Sequence, residues 1–301
     1  MFDITPIRTW LASQQDATTP RPLFLLADPA LDAGIVRRLQ QAGYAGRSLL
    51  DQQGVAIAAH GPHLFQVANS AAAALQAGQV APTWQRLVPS AALTLICATA
   101  TLPTLHAHLR RFTDVRLEGG LDMGLAFWDP AILGTLMGQA DDATLHVAGP
   151  ALDEVQQTSL LGPILAWWYW DREGHLHRID ALQPPAPVAD STTSELQLTQ
   201  AQEDLLVEAS VPDQILYHLE LNQPHLFDQA LPAPRRYRFV RAVLGPAREL
   251  GLTGMRDLVN FTALCLIYRQ RMQTDPVIAT LLDQVRLQSL TLDEALEQMP
   301  Q

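Results

Sequence analysis

Residues Gln183–Ser194 read QPPAPVADSTTS, and this segment constrains the fold more than any other. It is rich in proline and in Ser/Thr, offers little to bury, and reads as a linker. Before it, short apolar runs of strand length alternate with helical patterns. After it, the pattern is almost purely helical. The chain is therefore expected to hold an α/β or α+β domain with a mixed sheet over residues 1–182, a linker over 183–195, and an all-α domain over 196–301. A length of 301 residues accommodates two domains.

In the first part, the continuous apolar run ending at Ala27, closed by Asp28-Pro29, suits a buried strand. Ile35, Leu39 and Ala42 recur at helical spacing, and Gly43 stops that helix. Leu64–Val67 and Ala92–Thr99 are two more short apolar runs. Leu105, Leu109 and Phe112 share one helical face after Thr101. Asp114–Leu117 and Met123–Phe127 flank a turn at Glu118-Gly119-Gly120. Asp129-Pro130 has the form of an N-cap followed by proline at the first helical position. Ile164–Trp170 and Leu176–Ile179 read as strands joined by a turn at Asp171–Gly174. Past the linker, Thr199-x-x-Gln202 and Thr291-x-x-Glu294 are capping boxes, and Asp275-Pro276 opens another helix.

Charge and composition narrow the function classes. The formal net charge is -11 and is dispersed along the chain. That disfavours sequence-independent nucleic-acid binding, which needs a positive stripe, and equally an anionic membrane surface. All basic residues are arginine, so no lysine nucleophile or Schiff base is available. No apolar run approaches the roughly 18 residues that would span a bilayer. The start, Met1–Pro6, lacks the basic and apolar regions of a secretory signal, so a cytoplasmic protein is expected. Cys97 and Cys265 each lie in an apolar run and are expected to be reduced, structural thiols.

Motifs that carry chemistry are missing from the sequence. There is no Gly-x-Ser-x-Gly elbow, no phosphate-binding loop with lysine, and no Gly-x-Gly-x-x-Gly after the first strand. His106 and His108 fall in a helical pattern and diverge at that spacing, so they cannot share a metal. His175 and His177 could share a strand face with Asp171 or Glu173 nearby. Zinc wants three or four ligands, and solvated strand histidines are the expectation. No cofactor and no metal are expected, and the chain is not expected to be an enzyme.

Two features point to binding instead. Trp167-Trp168-Tyr169-Trp170 is the densest aromatic cluster. Alternation sends Trp168 and Trp170 to one face of a strand, Trp167 and Tyr169 to the other. Such a strand either packs on both faces or presents one to a partner. Arg235, Arg236, Arg238 and Arg241 form the one basic cluster, either a solvated helix start or a docking patch for an acidic partner. Trp128, Trp168, Trp170, Arg235, Arg236 and Arg238 are the candidate partner-binding residues.

From Leu23 to Leu136 the chain resembles the adaptor or chaperone proteins encoded beside type VI secretion spike genes. The resemblance rests on an apolar strand ending in Asp (Leu23–Asp28), Ser48-Leu49-Leu50, Gly61-Pro62-His63-Leu64-Phe65, His108–Phe112, and the segment Ala126-Phe127-Trp128-Asp129-Pro130-Ala131-Ile132-Leu133. The order and spacing of these pieces carry the likeness; no one of them would suffice. Where many members have arginines beside the aromatic pair and after Asp-Pro, this chain has Ala126 and Ala131, so no role for those arginines transfers. The resemblance implies a non-catalytic protein that holds an effector toxin in the producing cell and hands it to the spike protein, VgrG. Two other readings are an enzyme whose site is assembled from dispersed residues, and an immunity protein that neutralises a toxin.

Overall fold

The computed structural model describes residues 3–14, 21–68, 72, 75, 91–182, 196–227 and 231–300. The linker at 183–195 and most of the Ala71–Ala74 run lie outside the described residues.

The fold class is the expected one: sheets with helices first, a helical region after. The elements of the first part are α1 (Thr5–Ser13), β1 (Leu23–Ala27), α2 (Ile35–Gln41), β2 (Gly46–Ser48), α3 (Val55–His60), β3 (His63–Gln66), β4 (Leu93–Ala98), α4 (Leu102–Arg110), β5 (Asp114–Leu117), β6 (Asp122–Gly124), α5 (Pro130–Met137), α6 (Glu154–Leu161), β7 (Ile164–Trp170), β8 (Leu176–Asp180) and β9 (Gln197–Leu198). Six strands form one sheet in the order β2-β3-β1-β4-β7-β8. Every pairing in it is antiparallel. The mixed pairing sits in a small sheet, β6-β5-β9, where β5 runs antiparallel to β6 and parallel to β9.

Antiparallel sheets usually leave one face to water, but this one is covered on both. Alternation along β1, β4 and β7 divides the apolar side chains between two cores. Phe24, Leu26, Ile96, Trp167 and Tyr169 enter one, with Leu105 and Leu109 of α4 and Leu133 and Leu136 of α5. Leu23, Leu25, Leu95, Cys97, Trp168 and Trp170 enter the other, with Ile7 and Leu11 of α1 and Ile35 and Leu39 of α2. All five residues of β1 and all six of β4 are buried, which is why these strands read as unbroken apolar runs.

The rest is helical: α7 (Gln200–Asn222), a 3-10 turn (Pro224–Leu226), α8 (Ala233–Glu249), α9 (Met255–Tyr268), α10 (Arg271–Thr274), α11 (Pro276–Arg286) and α12 (Leu292–Glu297). Its own core joins Ile215 and Leu219 of α7, Val240 and Leu244 of α8, Leu258 and Phe261 of α9, and Leu281 and Val285 of α11. The caps form where the pattern places them. Thr199 and Gln202 bond reciprocally, Asp275 accepts from the Val277 amide, and Thr291 and Glu294 make a capping box.

The chain divides into two compact units, Met1–Leu206 and Val207–Gln301. The division falls inside α7, whereas the sequence assigns residues 196–206 to the helical domain. Leu196, Leu198 and Leu206 enter a core of the first unit, and β9 extends its small sheet. A strand of two residues carries no periodic signal, and the first turns of α7 look helical whichever core they pack against.

Candidate functional site

A groove of about 410 Å³ opens at the end of β1. Asp28 and Ala30 line it from the segment after β1, Leu50 from the segment after β2, Gly61 and Pro62 from the turn into β3, and Trp128 from just ahead of α5. The remaining wall is α3, through Ala56, Ile57 and His60. Nearly all of this surface is carbon.

Helix α3 explains why the groove is apolar. Its sequence is VAIAAH, yet none of its residues is buried. Val55 is 89% exposed and Ile57 49%. A helix of this composition normally buries one face; here the apolar side chains face the groove or water. Leu31, next in the chain to the lining Ala30, is exposed as well. Contiguous exposed apolar surface of this kind marks interaction sites.

The walls are held firmly. The Leu49 amide donates to the Pro62 carbonyl (2.8 Å), and His106 Nε2 donates to the Ser48 carbonyl (2.8 Å). Asp51, next to Leu50, pairs with Arg47 (2.8 Å) and Arg110 (3.4 Å). Gly61 closes α3 onto that segment: a Cβ there would meet Leu50 carbons at 2.8 and 2.9 Å, so glycine allows the close approach. Trp128 meets Phe127 edge-on at 5.2 Å. The next residue, Asp129, caps α5 by accepting from the Ala131 amide (2.8 Å).

Asp28 is the polar feature of the groove. It is 5% exposed. One carboxylate oxygen, Oδ1, accepts from the Ala30 amide (2.8 Å). Burial pushes its pKa above the usual carboxylate range, and the nearby Asp129 carboxylate adds to the rise.

The sequence candidates are distributed differently. Trp128 lines the groove. Trp168 and Trp170 do not reach the surface: both are fully buried, and the Trp168 ring meets Trp10 edge-on at 5.1 Å. Their face of β7 is covered by α1 and α2, so they are core and not a partner-binding face. Arg235, Arg236 and Arg238 lie near the start of α8, with Arg235 and Arg238 exposed. Arg236 is already engaged. It pairs with Glu220 (2.8 Å), donates to the Leu231 carbonyl, and lies over the Phe227 ring. Asp28, Leu50, Ile57 and Pro62 were not singled out as binding residues. Asp28, Leu50 and Pro62 stand in segments that carry the family resemblance, and Ile57 is marked by the apolar string of α3, which no partner element in the sequence accounts for.

The histidine pairs also differ from expectation. His177 is buried, not solvated, while His175 is exposed. His177 Nε2 and His175 Nδ1 both contact Asp171 Oδ2 at 3.1 Å. Asp171 Oδ1 accepts from the Glu173 and His175 amides. Tyr169 donates to Asp142 (3.0 Å) and stacks on His177. Burial works to raise the Asp171 pKa, but the donors around it win and hold it below the usual range. Burial and the neighbouring Asp142 push the Tyr169 phenol far up. Ligand atoms of Asp142, Asp171 and His177 lie within 4.8 Å of one another, a spacing that can hold a cation. Asp171 fixes the β7–β8 turn, Asp142 accepts from Thr144 and Tyr169, and His177 Nδ1 is buried with no hydrogen-bond partner among the described residues. His106 and His108 point to different backbone carbonyls, Ser48 and Leu160. Cys97 is buried and Cys265 half-buried, and burial pushes both thiols up to about 12, away from the reactive thiolate.

A second depression, of about 450 Å³, lies in the helical unit and is rimmed by Asp257, Gln288, Asp293 and Glu294. Two of these carboxylates already have work: Asp293 pairs with Arg256, and Glu294 caps α12. No helix among the described residues is long and apolar enough to cross a membrane.

Residues 23–147 match the model of a family described as a domain of unknown function (DUF4123). All the segments that line the groove fall inside that match. No curated protein and no solved structure matches the chain.

Proposed function

We propose that the chain is a non-catalytic adaptor of the cytoplasm. It binds an effector toxin of a type VI secretion system and loads it onto the VgrG spike protein. The observation that carries the binding role is α3, an apolar helix that buries none of its side chains and walls an apolar groove. The type VI assignment is supported by the resemblance of residues 23–136 to the adaptor family. The family match over residues 23–147 overlaps that stretch.

Four of the five segments that carry the resemblance supply groove residues: Asp28, Leu50, Gly61 with Pro62, and Trp128. The fifth, His108–Phe112, spans the end of α4 and the two residues after it, and its apolar members Leu109 and Phe112 enter the core. A groove built from these segments offers an apolar surface on which binding energy concentrates.

The test is deletion of the gene followed by complementation. Delivery of one effector is lost while the secretion machine still fires and other cargoes still leave. Wild-type chain restores delivery and the Ile57→Glu chain does not. Loss of all secretion on deletion, or turnover of a substrate by the purified chain, contradicts the adaptor reading.

A further inference from the structure

We propose that the partner segment seated in this groove places an arginine or lysine side chain on Asp28, beside an apolar side chain laid against Trp128 and Ile57. The proposal deepens the docking reading and rests on it.

The geometry supplies two independent arguments. The first is the carboxylate itself. Asp28 is more than nine-tenths buried and lines a groove whose other walls are carbon. Its Oδ1 is bonded to the Ala30 amide, and its second oxygen has no hydrogen-bond partner among the described residues. Asp129 brings a second negative charge close enough to raise the Asp28 pKa. No basic side chain among the described residues pairs with either carboxylate, whereas nearby Asp32 and Asp51 pair with Arg38, and with Arg47 and Arg110. The remaining titratable group of the lining, His60, directs Nδ1 to the Ala56 carbonyl (2.9 Å). A buried carboxylate without a cation is costly, and a partner's cation removes that cost when it docks.

The second argument is the shape and chemistry of the wall. Ile57, Ala56, Leu50, Pro62 and the Trp128 ring give the carbon surface that the stem of a long basic side chain covers. An indole face also attracts a guanidinium, which favours arginine over lysine. Val55 and Leu31, chain neighbours of the lining Ala56 and Ala30, are exposed apolar side chains as well. That extent suits a polypeptide, with apolar residues flanking the cation.

The experiment is a displayed random-peptide library panned against the full chain. Affinities of the best peptides are then measured for wild-type, Ile57→Glu and Asp28→Asn chains. Asparagine keeps an oxygen for the Ala30 amide, and thermal melts verify that each variant is folded. The expected peptides pair an arginine or lysine with apolar neighbours, and Ile57→Glu abolishes their binding. Replacing the peptide arginine by neutral citrulline weakens binding to the wild-type chain by roughly tenfold or more, as loss of one partner of a buried charge pair does. The same replacement has little effect on Asp28→Asn, because the charge it would meet is gone. Peptides that need Ile57 but carry no basic residue, or an equal citrulline effect in both chains, overturn the charge assignment and leave the docking reading standing. A library that yields no binder sensitive to Ile57→Glu overturns both.

Discussion

Asp28 and Trp128 line one groove, although they stand near opposite ends of the segment that matches the family model. Asp28 comes from the end of a central strand and Trp128 from the approach to α5, whose cap is the next residue, Asp129. The fold thus brings a buried carboxylate and an indole to the same groove, with α3 as its remaining wall.

The state of Asp28 leads to a stability prediction. Its folded-state pKa lies above the ordinary value, with burial the main cause. Folding therefore favours the protonated form, so the stability contribution is fully present below the unfolded pKa of about 4 and is lost as pH rises through the folded pKa. The charged carboxylate, buried and close to Asp129, is the form that burdens the fold. Asp28→Asn is expected to melt higher than wild type at pH 7, with the gain shrinking as pH falls through the folded pKa towards the unfolded value of about 4. Thermal melts across that range check it. An unchanged or lower melting temperature at pH 7 argues against an uncompensated charge.

Asp171 carries the opposite sign. Burial acts to raise its pKa, but bonds from His177, His175 and the Glu173 and His175 amides outweigh it and depress the folded-state value. Its contribution is present above the ordinary Asp pKa and is lost as pH falls through the depressed one. Asp171→Ala should cost about 1–3 kcal/mol at neutral pH, since buried donors lose their acceptor. The deficit relative to wild type should narrow in acid. Urea unfolding at pH 7 and at about pH 3 measures both, on either side of the ordinary carboxylate range. A constant difference across that range would mean that Asp171 acts through turn geometry alone.

The tryptophans separate core from surface. Trp168→Ala empties a fully buried site and should cost about 3–5 kcal/mol. Trp128→Ala, at the half-buried groove wall, should cost less and should weaken partner binding. Denaturant unfolding of the two variants gives the order. Equal costs would place Trp128 in the structural core with Trp168.

Much of this fold is legible in the sequence. The buried strands β1 and β4 are continuous apolar runs. The Asp129, Asp275 and Thr291 caps sit where side-chain oxygen precedes a helical pattern. The alternation of Trp167 to Trp170 places each ring on its correct face. Which reading of that strand holds was not legible, because packing on both faces and presentation to a partner demand the same residues. Covering by α1 and α2 decides it, and that is a long-range fact. The groove was hidden for the same reason, since its walls come from four separated segments. His177 was misread because alternation assigns a face but does not show that Tyr169 and Asp171 cover it.

The central claim is that this groove binds a partner stoichiometrically, and Ile57 tests it most directly. Its side chain is half exposed, so Ile57→Glu should change stability by no more than about 0.5 kcal/mol, as surface substitutions do. The measurement is isothermal titration of the purified chain with the tightest-binding peptide selected on it. The account predicts a saturable complex of fixed stoichiometry for wild type and loss of measurable binding for a folded Ile57→Glu. Equal affinity for the two chains would contradict it.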